Sequence, residues 1–187
     1  MREAVIVDAI RSPIGRGKPI KGDLSGVHPV ILLSKLLDSL VQRNGLQYED
    51  VEQVIAGCVT QAGEQSNNLA RNAWLWLGKN WKTGATTVDS QCGSAQQANH
   101  MISAMIQGGS LDIGIACGVE SMSRVGLGMN VMSGPGYFHP DGWPWDQTRD
   151  QFTSVERMVK NRGLKREDID KFAFESQAKA AAAWKAG

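Results

Sequence analysis

The 187-residue chain reads as an α/β protein. It predicts a mostly parallel sheet covered by helices, followed by a helical and irregular segment. Three observations carry this. Residues 4–9, 51–59 and 111–118 are predominantly apolar runs, as expected of strands buried on both faces. Helical periods alternate with those runs, which favours a layered sheet with helices on it. Beyond Glu120 the periodicity gives way to glycine, proline and aromatic residues before two further helical stretches.

Taken in order, residues 4–9 form the first buried strand. Residues 10–27 form a loop holding Pro13, Gly15, Gly17, Pro19, Gly22 and Gly26. Pro29 sits where a helix begins, and Leu33, Leu36, Leu37 and Leu40 mark one face at spacings of three and four. Asn44-Gly45 ends that helix. Residues 51–59 make the second strand, and Ser66 caps a helix running through Leu77. Val88 closes the third strand, a helix opens behind Cys92, and residues 111–118 make the fourth strand. Ala95, Ala98, Ile102 and Met105 are the packed face of the Cys92 helix, with Met101 and Met105 as core filler. Residues 121–147 carry five glycines, three prolines, two tryptophans and three methionines, which suits a lid or a binding wall. Helices follow at 147–162 and 166–184, parted by Gly163, the second rich in alanine. The boundary falls at 119–125, giving a sheet domain at 1–119 and a partial loop domain at 120–187.

A net charge of +1 with 21% charged residues makes no electrostatic case for nucleic acid or a membrane surface. No apolar run approaches the ~18–20 residues needed to span a bilayer. The opening MREAVIVDAIR is cut short by Asp8 and lacks a small-residue cleavage site, so it reads as a strand and not as a signal peptide. Cys58, Cys92 and Cys117 are too few and too unevenly spaced for a disulfide framework, and no CxxC or His–Cys cluster suggests a metal. The expectation is a soluble, cytoplasmic protein with no metal, nucleic-acid or membrane partner.

The stretch 85–108, ATTVDSQCGSAQQANHMISAMIQG, carries the chemistry. A β-branched run stops at a polar turn, Cys92 follows, and a helix opens directly behind it. A thiol at the first turn of a helix faces unpaired N–H groups and the positive end of the macrodipole. Both favour the thiolate, which is the nucleophilic form. The alternative is a buried cysteine acting as a small hydrophobe. In parallel sheets ligands bind beyond the carboxyl ends of the strands, which is where Cys92 falls.

The segments VDSQCGSAQQANHMI (88–102) and GIACGVESMSR (114–124) resemble the thiolases, which pass acyl groups between coenzyme A and an enzyme cysteine. VIVDAIRSPIG (5–15) resembles that family's first strand and loop, and ERMVKNRGLKREDIDKFAFESQAKAAAAW (156–184) its inserted-domain helices. CVTQAGEQSNNLARNAWL (58–75) and SRVGLG (123–128) resemble actinobacterial β-oxidation thiolases, including those that shorten steroid side chains. The resemblance implies that Cys92 takes an acyl group from a 3-oxoacyl-CoA as a thioester. Acetyl-CoA leaves, and a second coenzyme A collects the shortened chain. The Cys92 backbone N–H, with Gly93 permitting close approach, would donate to the oxyanion, a contribution commonly worth ~3 kcal/mol of barrier. Coenzyme A and its thioesters are then substrates, with no permanently bound cofactor.

The same resemblance implies parts not found in these residues: a Gly-His-Pro histidine that activates the nucleophile and a Cys-x-Gly-Gly-Gly cysteine that acts as acid and base. His139-Pro140 follows Phe138 and does not match. The chain therefore reads as the N-terminal part of a thiolase, its sheet lacking the last strand, with little turnover expected alone. Partners are a second copy in a homodimer or homotetramer, or a C-terminal thiolase piece. An open sheet edge is expected where the last strand belongs.

Other marked residues have competing readings. His100 lies eight residues along the helix from Cys92, an axial rise of about 12 Å, beyond hydrogen-bond reach. Cys58 and Cys117 read as strand packing. Glu64, Asn67, Asn68 and Arg71 form either an active-centre support and interface or a solvated helix start. Gln151, Phe152 and Arg157 are the candidate coenzyme A-binding residues. Arg157, Lys160, Arg162, Lys165 and Arg166 either meet phosphates or form a charged helix surface. Asp150-Gln151-Phe152 stands where many thiolases carry a His-Met-Gly turn, which leaves the acyl preference open. Trp143, Trp145 and Phe152 either line that pocket or anchor the loop. Two other functions remain: a decarboxylating condensing enzyme on the same fold, against which the Glu-Ser-Met-Ser run at 120–123 speaks, and a non-catalytic acyl-CoA-binding or regulatory chain.

Overall fold

The computed structural model describes residues 2–131, 139–146 and 150–187. It divides into two compact units, one within Met1–Phe138 and one within His139–Gly187.

The first unit is built on three parallel strands: β1 (Gln53–Gly57), β2 (Gly84–Val88) and β3 (Gly114–Gly118). Their order is β2-β1-β3, with Gln53 in register with Gly84 on one side and Gly114 on the other. Being central, β1 is the most apolar, and Val54, Ile55, Ala56 and Gly57 are all buried. One face of the sheet packs on α1 (Pro29–Arg43) and α2 (Leu69–Trp76), the other on α3 (Ser94–Gln107). Leu33, Leu37 and Val41 bring one stripe of α1 into a core shared with Val54, Leu69, Ala73 and Trp74. Burying each large apolar side chain there contributes about 1.5–3 kcal/mol. Trp74 is enclosed and places its Nε1–H on the Asn80 carbonyl at 2.7 Å. Ile55, Ala98, Ile102 and Leu111 form the smaller core under α3, with Met101 and Met105 packed at its margin. Ala95, expected on the packed face, is exposed.

Local signals set the helix ends. His28 caps α1, its Nδ1 accepting the Val30 N–H at 3.2 Å, and Pro29 occupies the first turn. Asn44 closes the helix and Gly45 turns left-handed at φ +65°. The second helix begins later than the Ser66 expectation. Asn67 and Asn68 both hold left-handed backbone at φ +57°, and Asn68 is the cap. The Thr87 hydroxyl takes the Ala70 N–H and donates to Asn68 Oδ1, so β2 fixes where α2 starts.

The expected first strand is not formed. Residues 4–9 enter no ladder, and Val5, Ile6 and Val7 are 67%, 84% and 81% exposed. Residues 3–8 and residues 112–116 line a common groove of about 540 Å³. An apolar segment without an adjacent strand edge has no ladder to join.

The second unit holds α4 (Gln151–Arg162) and α5 (Arg166–Ala186), neither of which buries a residue. Asp150 caps α4 through the Thr153 N–H, and Gly163 ends it at φ +63°. Lys165 N–H donates to Asp168 at 3.0 Å, and Arg166 pairs with Asp170 one turn on. The structural division at 138/139 lies beyond the expected 119/120 boundary, because Glu120, Ser121 and Arg124 bind loops of the first unit. Of the expected lid at 121–147, residues 132–138 and 147 lie outside the described residues.

Candidate active site

Cys92 stands exposed on a five-residue elbow between the end of β2 and the start of α3. The elbow is tightly knit. Asp89 Oδ1 accepts the Gln91 N–H at 2.7 Å, and Gly93 N–H donates to the Ser90 carbonyl at 3.1 Å. Ser94 Oγ accepts the Ser90 N–H at 2.9 Å and donates to the Gln91 carbonyl at 2.5 Å. Gln91, a non-glycine residue, holds a left-handed φ of +51°, which turns the chain sharply enough to present the next side chain to solvent. A Cβ on Gly93 would meet the Ser90 carbonyl at 3.3 Å, so this position is tight for anything larger than glycine.

The helix starts slightly later than expected: Gly93 is the N-cap and Ser94 the first helical residue. Cys92 therefore lies just outside the first turn. The Gly93 and Ser94 amides are engaged within the elbow, whereas the Cys92 N–H takes part in none of these bonds. The expected oxyanion donor is thus not consumed by the turn.

Two glycines let the front of α3 sit against the sheet. A Cβ at Gly57 would fall 2.4 Å from the Ala95 nitrogen and the Ser94 carbonyl carbon, and one at Gly118 would lie 3.1 Å from the Ala95 Cβ. The strand exits are tied together as well, with Cys58 N–H on the Val88 carbonyl (3.0 Å) and Val119 N–H on the Gly57 carbonyl (3.1 Å).

Glu120 completes this corner. Its carboxylate accepts the Val59 N–H (2.9 Å), the Thr60 N–H (3.2 Å), the Gln65 Nε2 (3.0 Å) and the Cys58 thiol (3.9 Å). Fully buried Gln65 also donates to the Thr60 carbonyl (2.9 Å) and accepts the Ser121 N–H (2.6 Å). Sequence reasoning did not find this clamp. Its only local sign is a carboxylate directly after an apolar strand.

The other cysteines match their packing role. Burial, then the charges of Glu120 and Asp89, push the Cys58 thiol up to about 12. Burial alone does the same for Cys117, also to about 12. Both stay protonated near neutrality, leaving Cys92 as the one exposed thiol.

Glu64 and Arg124 pair through two hydrogen bonds, and Arg124 also donates to the Ser25 carbonyl, joining the 10–27 loop to this end of the sheet. Arg124 holds the Glu64 carboxyl below its usual range, and His28 adds to this from 3.9 Å. Asn68 and Arg71 are structural ties: Asn68 donates to Ala85 O, and Arg71 to Thr83 O and Trp81 O. Asn67, the remaining member of that cluster, is exposed. His100 is exposed on the α3 flank and borders the groove described above.

In the second unit, Gln151 and Phe152 open α4 and are exposed. Arg157 is ion-paired with Asp146, so an anion would have to compete for it. Trp143 stacks on His139 with ring centroids 4.3 Å apart, and Trp145 is exposed. Among the described residues there is no cluster of three or more His, Cys, Asp or Glu placed to hold a metal, and no helix long and apolar enough to cross a membrane.

An exposed thiol on a strand-to-helix elbow, at the carboxyl end of a parallel sheet covered by helices, places the chain among α/β folds with a cysteine where such sheets bind their ligands. The particular family follows from comparison. Residues 4–187 match the thiolase N-terminal domain model, and the chain belongs to the thiolase family. It is 34% identical over its whole length to the steroid 3-ketoacyl-CoA thiolase FadA6 of Mycobacterium tuberculosis, spanning 47% of that protein. It is 38% identical over 98% of its length to a 3-ketoacyl-CoA thiolase of Shewanella frigidimarina, spanning 46% of it. Among solved structures it resembles the Acat5 thiolase of Ascaris suum in complex with coenzyme A (TM-score 0.69, 26% identity, 91% of this chain and 46% of that one). It also resembles the acetyl-CoA acetyltransferase of Bacillus anthracis (TM-score 0.68, 26% identity, 91% and 45%). The chain spans about half the length of the relatives it matches.

Proposed function

We propose that Cys92 is the acyl-carrying nucleophile of a 3-oxoacyl-CoA thiolase working in β-oxidation. The observation that carries this is the elbow, which exposes a single thiol beside an uncommitted backbone N–H at the start of a helix. In the first step the Cys92 thiolate attacks the 3-oxo carbon, and its carbonyl oxygen becomes an oxyanion that the Cys92 N–H stabilises. The C2–C3 bond then breaks, the acyl group stays on sulfur, and the departing two-carbon fragment takes up a proton as acetyl-CoA. In the second step the thiolate of a free coenzyme A attacks the Cys92 thioester, releasing the shortened acyl-CoA and restoring the cysteine.

No histidine hydrogen-bonds to Cys92 among the described residues, so the proton transfers draw on groups beyond those described. The open groove between residues 3–8 and β3 is the place for a further strand of a C-terminal piece. Coenzyme A thioesters are the substrates, with Gln151, Phe152 and Arg157 as the coenzyme A contacts and steroid side-chain thioesters among the acyl groups. The assembly is a cytoplasmic homodimer or homotetramer. The test is intact-mass analysis after mixing the chain with a 3-oxoacyl-CoA. The expected result is an acyl adduct on Cys92 that is absent in Cys92→Ser. Coenzyme A binding with an unmodified Cys92 would instead indicate a non-catalytic acyl-CoA-binding chain.

A further inference from the structure

We propose that Glu120 is a positioning residue for Cys92, its carboxylate clamping the strand exits on which both ends of the nucleophile's elbow rest. This rests on the reading of Cys92 given above and extends it to a residue about thirty positions further along the chain.

The elbow has two anchors. One is Val88, whose carbonyl is held by the Cys58 N–H at the exit of β1. The other is the start of α3, seated on Gly57 and Gly118 at the exits of β1 and β3. Both anchors therefore depend on β1 and β3 leaving the sheet at a fixed separation. Beyond Gly57 and Gly118 the ladder ends; the Cys58 N–H still reaches the Val88 carbonyl of β2, and the two amides after it, those of Val59 and Thr60, turn to a side chain instead. Glu120 substitutes for a strand there. A single carboxylate from the β3 exit takes the consecutive N–H groups of Val59 and Thr60, and Gln65 braces it from behind. Hydrogen bonds to a charged acceptor are roughly twice as strong as neutral ones, so this is a stiff tie at a place where a backbone ladder would otherwise fray. Cys58 lies inside the clamp, its thiol directed at the Glu120 carboxylate. Loosening the clamp lets the α3 start move relative to β2. Cys92, suspended between them, then loses its placement beside the helix terminus.

The test measures Cys92 alkylation by iodoacetamide in the 187-residue chain between pH 6 and 9, quantified by peptide mass, for wild type, Glu120→Gln, Gln65→Met and the core variant Leu37→Ala. Wild-type Cys92 is expected to label faster than a free peptide thiol. In Glu120→Gln and Gln65→Met the neutral-pH rate is expected to fall about three- to tenfold relative to wild type. Leu37→Ala lowers thermal stability but leaves the Cys92 profile in place. Should Glu120→Gln fail to fold, Glu120→Asp, which keeps the charge and shortens the reach by one methylene, is read in the same way. A wild-type profile in the folded Glu120 and Gln65 variants overturns the positioning role. A wild-type Cys92 no faster than the free thiol overturns the nucleophile reading instead, so the two failures are distinct.

Discussion

The two units of this chain use similar residues to opposite ends. In the sheet unit, Trp74, Leu33, Leu37, Leu69 and Val54 disappear into a core that fixes helix seating on the sheet. In the helical unit, Phe152, Phe172, Phe174 and Trp184 all face outward, and neither helix buries a residue. Helices of the second kind stand on caps, glycine terminators and i,i+4 pairs alone. The contrast teaches that local signals suffice to make a helix, whereas placing a reactive group requires long-range burial. Cys92 sits in the unit that has it.

The sharpest way to break the comparison is to remove the same side chain on both sides of it. Trp74→Ala should cost about 3–5 kcal/mol in chemical denaturation, since it empties a closed site and strands the Asn80 carbonyl. Trp184→Ala, at a position 88% exposed, should stay within about 0.5 kcal/mol. Equal effects would show that the helical unit has a core of its own.

A smaller effect probes the seat of the nucleophile. Gly57→Ala forces a methyl group to within 2.4 Å of backbone atoms at the start of α3, and overpacking of this kind costs about 1–3 kcal/mol. The expected signature is a lowered denaturation midpoint together with slower Cys92 alkylation. Unchanged labelling would mean that α3 can shift without disturbing the elbow.

The smallest effect concerns acid. The Glu64 carboxyl titrates below its ordinary value because of the Arg124 hydrogen bonds. Its depressed folded pKa gives stability that is present above the unfolded carboxyl pKa and lost as pH falls through the folded one. The pair is partly solvated, so the contribution is modest. Arg124→Gln should flatten the decline of thermal stability below about pH 4.5, the ordinary carboxyl value, and leave the neutral-pH slope alone. An unaltered acid limb would assign the decline to other carboxylates.

Much of this was legible in the chain. Leu33 and Leu37 declared the buried stripe of α1, the runs 51–59 and 111–118 contained β1 and β3, and the polar turn at the end of β2 announced the start of α3 behind Cys92. What escaped depends on partners far away in sequence. Residues 4–9 have the pattern of a strand, but pattern cannot report whether an edge lies alongside to pair with. The start of α2 passed from Ser66 to Asn68 because a hydroxyl on β2, at Thr87, chooses it. Glu120 and its acceptor role across 55–62 residues left no periodic trace, since one carboxylate after a strand resembles any solvated end.

One consequence of the cysteine arrangement reaches beyond catalysis. Two of the three sulfurs are covered and held as thiols, while the third is open to water. Among the cysteines, peroxide and related oxidants therefore meet a single open sulfur, where the first product is a sulfenic acid and further attack is irreversible. The same exposure that the proposed acyl-carrying role requires makes Cys92 the cysteine on which oxidative stress would act.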